Sequence, residues 1–300
     1  MASKHVDEVN KNHPGLKDYA ELARISNLPT CFTNVMVGCA VVSVGAGFQW
    51  SRFLVGGAAV ALVYLGGMVM NDVVDVEDDR INRPHRPIPS GRVPVGQAKL
   101  LAGFLLVSGP SILFVLGARA GIPGAALAGL VCLYNLWHKR NSWAVVLMGG
   151  CRGLVYLTAA GCVAGARCSD LLIALAVIIS VYTAVLTFIA RNENKPEPGT
   201  RRLLSWGLFV LVLAPGLFVN TEWRYLTSLI GAAVLWWDTK AAFLLWGQPP
   251  RTKNAVLMWL SGICLADAYY LSLLGRPALS VSAVGGFLLT VTAHRRIAGT

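Results

Sequence analysis

Six carboxylate or amide side chains fall within the nine residues Asn71-Asp72-Val73-Val74-Asp75-Val76-Glu77-Asp78-Asp79, and a basic, proline-rich stretch follows: Arg80-Ile81-Asn82-Arg83-Pro84-His85-Arg86-Pro87-Ile88-Pro89-Ser90-Gly91. Residues three, four, seven and eight apart share one helical face, so the spacing predicts that the oxygens of Asn71, Asp72, Asp75 and Asp79 converge. Like charges placed together destabilise each other unless cations offset them, and hard oxygen donors suit Mg²⁺. Mg²⁺ is typically held by one or two carboxylates and fills its octahedron with water and substrate phosphate oxygens, so the implied ligand is a diphosphate. Arg80, Arg83, Arg86 and Arg92 then fit as clamps, because guanidinium groups bind phosphate bidentately. The prolines at 84, 87 and 89 stop the helix and stiffen the loop. A solvated acidic helix end before an ordinary basic loop is the plain alternative. It explains the arginines but not the one-sided spacing of the acids. If repulsion among the acids dominates, Asp72→Asn or Asp75→Asn removes activity without loss of stability.

The chain that carries this stretch is far too apolar for an ordinary soluble protein. Of 300 residues, 55% are hydrophobic and only 14% charged, with a mean hydropathy of +0.58; this is the composition of an integral membrane protein. Apolar runs fall at roughly 29–48, 53–70, 98–117, 122–137, 143–164, 169–189, 203–219, 225–246, 254–274 and 278–293. The net charge of +11 is concentrated in every second loop, from Lys4, Lys11, Lys17 and Arg24 at the start to Arg295 and Arg296 at the end. That is the positive-inside pattern, and it removes any need for a nucleic-acid partner. It also places the motif loop and both termini in the cytoplasm if the runs are ten, whereas nine crossings would put the C-terminus outside. The seven cysteines show no metal-ligand spacing and read as small packing residues. Residues 1–24 form a polar segment with no signal-peptide pattern.

The pattern N-D-x-x-D-x-x-x-D followed by R-P-x-R-P-I-P-S-G, complete from Asn71 to Gly91, resembles the first aspartate-rich motif of the UbiA superfamily of intramembrane prenyltransferases. The resemblance implies one domain over residues 1–300, nine helices around a central cavity, and active loops after the second, fourth and sixth. The fold expected is therefore all-α, with nine to ten transmembrane helices; the tenth apolar run exceeds the family's number. Leu28-Pro29-Thr30, His138-Lys139-Arg140-Asn141, Cys151-Arg152 and Arg191-x-Glu193 are together similar to the EboC-type proteins of a divergent bacterial branch.

Other residues acquire expectations from the same resemblance. Arg24 and Asn34 flank the start of the first span, which lines the substrate cavity in UbiA-like proteins. Tyr134 and Lys139, at the end of the fourth span, match the tyrosine and lysine that face the diphosphate; an aromatic belt with a basic flank is the bland reading. His138 has no assigned role. Arg152 lies inside the fifth span and Asp267 inside the ninth, and an intramembrane charge requires a partner. For Arg152 the candidates are the acidic site or a substrate phosphate, with a structural Arg–Asp pairing as the alternative. The chain departs from the family after the sixth span, where a second aspartate-rich motif normally holds another Mg²⁺. Here a single acid, Glu193, stands between Arg191 and Lys195, so fixed cations can replace that metal's charge.

The expected activity is Mg²⁺-dependent transfer of a prenyl group from a polyprenyl diphosphate to a small-molecule or lipid acceptor within a bacterial cytoplasmic membrane, at a site facing the cytoplasm. Asp72, Asp75, Lys139, Arg191 and Glu193 would be catalytic; Asn71, Asp72, Asp75 and Asp79 would hold the metal; Arg24, Asn34, Asn71, Arg83, Arg86, Tyr134 and Arg152 would bind substrate. The rival is a carrier on the same scaffold that binds an isoprenoid lipid without chemistry.

Overall fold

The computed structural model describes residues 14–45, 47–139, 141–165, 167–191 and 199–296. Among them there are helices and no strands: α1 (Leu16–Leu22), α2 (Leu28–Val42), α3 (Trp50–Val74), α4 (Val76–Asn82), α5 (Val95–Leu116), α6 (Ala118–Trp137), α7 (Ala144–Cys162), α8 (Asp170–Arg191), α9 (Gly199–Leu213), α10 (Arg224–Trp246), α11 (Thr252–Leu273) and α12 (Pro277–His294). Ten of the described helices are long and apolar enough to cross a membrane. The tenth apolar run is a full helix of 18 residues, so every one of the ten apolar runs is matched by a helix of membrane length.

The ends of these helices sort into two groups. At one end Arg92 pairs with Asp18 at 2.6 Å, Arg191 donates to the Asn141 carbonyl at 2.5 Å, and the His294 imidazole lies 2.7 Å from the Asn27 side-chain oxygen. At the other, Arg52 donates to the Cys162 carbonyl at 2.9 Å, Ala164 N–H to Gln49 at 3.1 Å and Arg276 to the Ser43 carbonyl. The last helix therefore ends beside the start of the first, as an even number of crossings requires.

α11 is the centre of the packing. Residues 261–273 are all buried, and a helix that is apolar on every side belongs in an interior. It packs against α2, α8, α10 and α12, and Trp259, Tyr156, Tyr182 and Tyr270 are among the largest fully buried side chains of the core. In lipid, helices associate by close packing of small residues rather than by exclusion of water. Gly161 of α7 illustrates this: a Cβ there would collide with the Arg119 backbone carbonyl of α6, and one on Gly149 with the Ser180 carbonyl of α8. We expect Gly161→Ala to cost about 1–3 kcal/mol, the usual penalty of overpacking. A thermal midpoint in detergent unchanged from wild type would disprove that contact.

Candidate active site

The acids begin inside a helix, not beyond it. The apolar run ends at Met70, yet α3 continues through Asn71 and Asp72 to Val74, and Asp75 caps it before α4 resumes. Asp72 and Asp79 are buried, at 3% and 4% exposure, which carboxylates tolerate only when paired. Arg24, before α2, places one guanidinium nitrogen 2.8 Å from Asp72 and 3.3 Å from the Asn71 oxygen. Arg86, from the proline-rich loop, bridges Asp72 at 3.3 Å and Asp79 at 2.6 Å. Arg83 lies 3.9 Å from Asp79. Arg24 takes φ 47, a left-handed conformation rare outside glycine; its ion pair holds it there.

Asp75 faces other partners. Its Oδ1 lies 3.3 Å from the His138 ring nitrogen and 3.0 Å from Lys139, which also reaches Asp78 at 2.6 Å. The four motif oxygens therefore do not form one convergent set. Asn71, Asp72 and Asp79 gather around two arginines, Asp75 and Asp78 around Lys139, and among the described residues no group of three or more His, Cys, Asp or Glu is arranged as a metal site. The expected relief of repulsion also fails for Asp72, because two cations already offset its charge.

The ion pairs set the proton affinities just outside the spans. Burial alone would raise the Asp75 carboxyl, but the contacts with His138 and Lys139 outweigh it and hold the group below its ordinary value. The contact with Asp75 in turn raises His138 against the opposing effect of burial. A raised histidine stabilises the fold fully below its ordinary value of about 6.5 and loses that contribution as pH climbs through its raised one; a lowered aspartate contributes above about 3.9 and loses it as pH falls. The pair is thus complete between about pH 4 and 6.5. We expect Asp75→Asn to bring His138 back down, read as an NMR titration of the imidazole. An unchanged His138 titration would rule the pair out.

Behind the charged mouth lies a cavity of about 90 Å³ between α2, α3, α6 and α7, lined by Cys31, Tyr64, Met68, Tyr134, Asn135 and Arg152 among others. Site and cavity are linked. Asn71 donates to Asn135 at 3.1 Å, Asn135 to the Gly67 carbonyl at 3.1 Å, and the Tyr134 ring stacks on His138 at 5.3 Å between centroids. Tyr64 donates to the Arg24 carbonyl at 3.2 Å.

Arg152 is not paired with the acidic motif. It donates to Asn34 and Thr30, each at 2.9 Å; Asn34 passes the link to Asp267 at 2.7 Å, and the Tyr156 hydroxyl donates to the second Asp267 oxygen. No direct Arg152–Asp267 pair forms among the described residues; Asn34 stands between them and bridges α2, α7 and α11. Arg92 is likewise no clamp for phosphate, since Asp18 and Glu21 hold it against α1, and Arg80 is spent on exposed Glu77. Arg191 donates to the carbonyls of Lys139 and Asn141. Glu193 and Lys195 lie outside the described residues. Two participants had no assigned place in the sequence reading, His138 and Asn135; the intramembrane amide of Asn135 was the available signal for the second.

Known proteins with this architecture place the chain. The solved structure of a UbiA homolog from Aeropyrum pernix K1 superimposes with a TM-score of 0.64, over 87% of this chain and 96% of that one, at 14% identity. A homolog from Archaeoglobus fulgidus, bound to GPP and Mg²⁺, gives 0.62 over 86% of this chain and 99% of that one, at 13% identity. In sequence, the digeranylgeranylglyceryl phosphate synthase of Ignicoccus hospitalis is 37% identical over 129 residues, 42% of this chain and 40% of the relative. The chain thus matches about two fifths of that relative's length. The model of the UbiA prenyltransferase family matches residues 31–263, a stretch that holds the motif, the cavity and Arg152. With ten membrane-length helices built around them, the chain is an integral membrane protein that belongs to the UbiA prenyltransferase family.

Proposed function

We propose that the chain, acting as one domain, transfers a prenyl group from a polyprenyl diphosphate to a small-molecule or lipid acceptor inside the membrane. The carrying observation is the arrangement of Asp72, Asp75 and Asp79 with Arg24, Arg86 and Lys139 at the mouth of an apolar cavity. The GPP and Mg²⁺ of the Archaeoglobus homolog and the name of the Ignicoccus relative support this reading.

Asn71, Asp72, Asp75 and Asp79 are hard oxygen donors of the kind that suits Mg²⁺, and here fixed cations neutralise the three carboxylates instead: Arg24 and Arg86 at Asp72, Arg86 at Asp79, Lys139 and His138 at Asp75. Held by Asn71, Asp72, Asp75 and Asp79, a Mg²⁺ ion would supply positive charge against a departing diphosphate. Arg24, Arg83 and Arg86 bind phosphate oxygens, with Lys139 beside them and Arg191, at the end of α8, donating to the Lys139 and Asn141 carbonyls. As the carbon–oxygen bond breaks, its electron pair leaves with the diphosphate. The acceptor's nucleophile adds to the allylic cation and gives up its proton to the released diphosphate. Tyr64 and Tyr134 line the cavity and can stabilise the cation through their rings, while Asn34 and Arg152, which the sequence assigned to substrate, hold the helices around it. A cavity of about 90 Å³ is below the roughly 300–1,000 Å³ of ordinary ligand sites, so a long isoprenoid tail has to part the helices or run out into lipid.

We take the site and both termini to lie on the cytoplasmic face of a bacterial membrane, a reading that the alternate basic loops support. A reporter fused at Thr300 is expected to be active only in the cytoplasm; activity on the far side would refute the orientation. The internal closure of Asp72 by two arginines favours a second reading, a lipid or isoprenoid-metabolite carrier without chemistry. Labelled prenyl diphosphates, purified protein and membrane extract separate the two. A transferase releases diphosphate in proportion to Mg²⁺, whereas a carrier binds the donor and returns it intact.

A further inference from the structure

The first and last spans are antiparallel neighbours that close on each other unevenly. They touch where Thr33 meets Gly286, and between residues 25–36 of one and 282–296 of the other lies a groove of about 950 Å³. Its walls include Leu28, Phe32 and Met36 on one side and Gly285 and Leu289 on the other, and Arg296 stands at the mouth. The hydroxyls that border it are spent on their own helices: Thr33 donates to the Thr30 carbonyl, Ser282 to Ala278 and Thr292 to Leu288. Water entering such a groove would find almost nothing to bond.

Two features identify the occupant. The first is length: residues 25–36 extend about 16 Å at 1.5 Å per residue, close to one leaflet of a hydrocarbon core about 30 Å thick. The second is charge. Arg295 and Arg296 are exposed at the groove's end on the motif side, and no ion pair among the described residues uses either one. An apolar trough of leaflet depth, ending in two arginines at the interface, matches one anionic amphiphile.

We propose that this groove is a binding site for an anionic glycerophospholipid of the motif-side leaflet, with an acyl chain along Phe32 and Leu289 and the phosphate on Arg295 and Arg296. The site is separate from the cavity behind the charged cluster, which meets the opposite face of α2 at Cys31.

The test is native mass spectrometry of the full chain in neutral detergent, mixed with phosphatidylglycerol or phosphatidylcholine, with the thermal midpoint measured in parallel. Wild type is expected to retain one phosphatidylglycerol under conditions that strip phosphatidylcholine, and to melt higher with it. Arg295→Ala combined with Arg296→Ala should erase most of the preference, about 20-fold or more if each arginine contributes as basic residues near anionic lipid usually do. Gly285→Leu should lose the lipid whatever its head group, because a Cβ at Gly285 meets nothing within 4 Å and the larger side chain enters the groove without displacing protein. Equal retention of the two lipids by wild type would overturn the proposal. So would a Gly285→Leu protein that folds and still holds phosphatidylglycerol, a two-chain complex that excludes lipid, or displacement of phosphatidylglycerol by an equimolar prenyl diphosphate.

Discussion

Asp75→Asn is expected to lower diphosphate release at saturating Mg²⁺ by at least about 100-fold, the scale lost when one fixed electrostatic group facing a developing anion is removed. Its stability should stay within about 1 kcal/mol of wild type, because the partner Lys139 reaches solvent and such pairs contribute little. Asp72→Asn should be as inactive for a further reason. It leaves Arg24 and Arg86 short of a buried partner, and breaking one side of a buried ion pair costs about 3–5 kcal/mol. The two variants together separate chemistry from folding: equal activity loss with unequal melting is the expected result. Wild-type turnover in Asp75→Asn would end the case for the acids as a metal-binding, diphosphate-facing set.

Asp267→Ala is expected to be the most destabilising single change outside the motif. Asp267 has no exposed surface, accepts from Asn34 and Tyr156, and is tied through Asn34 to the Arg152 guanidinium. Removing it leaves the buried Asn34 amide and Tyr156 hydroxyl without their acceptor, at about 1–3 kcal/mol for each unsatisfied group, and takes away the carboxylate that Asn34 links to Arg152. Unfolding in detergent and SDS would measure it. If Arg152→Met combined with Asp267→Ala melts well above Asp267→Ala alone, the stranded arginine is the cause; no recovery would mean that the carboxylate acts on its own helix only.

Much of the fold was legible because each span is a long apolar run bounded by charge, and the parity of basic loops favoured ten helices over nine. The His294–Asn27 contact then shows why that parity matters: the chain has to return to its starting face. Helix ends were less legible. Nothing in the run that stops at Met70 indicates that Asp72 stays buried in α3, since that depends on cations from residues 14 and 48 positions away. Spacing brought Asn71, Asp72 and Asp79 together correctly but could not show which way Asp75 turns, because its partners, His138 and Lys139, come from another hairpin. Arg92 was misread for the same reason: a guanidinium's sequence neighbourhood suggests phosphate, while its reach in space is taken by α1.

The bridge from Arg152 through Asn34 to Asp267 joins the second, seventh and eleventh helices, and the chain is synthesised in that order. Asn34 and Arg152 enter the bilayer more than a hundred residues before their carboxylate exists, at a depth where an unpaired guanidinium costs several kcal/mol. Insertion of α11 is thus the step that completes the bundle's charge balance. A chain that stops short of residue 267 still bonds Arg152 to Asn34 and Thr30 but lacks the only carboxylate on this bridge.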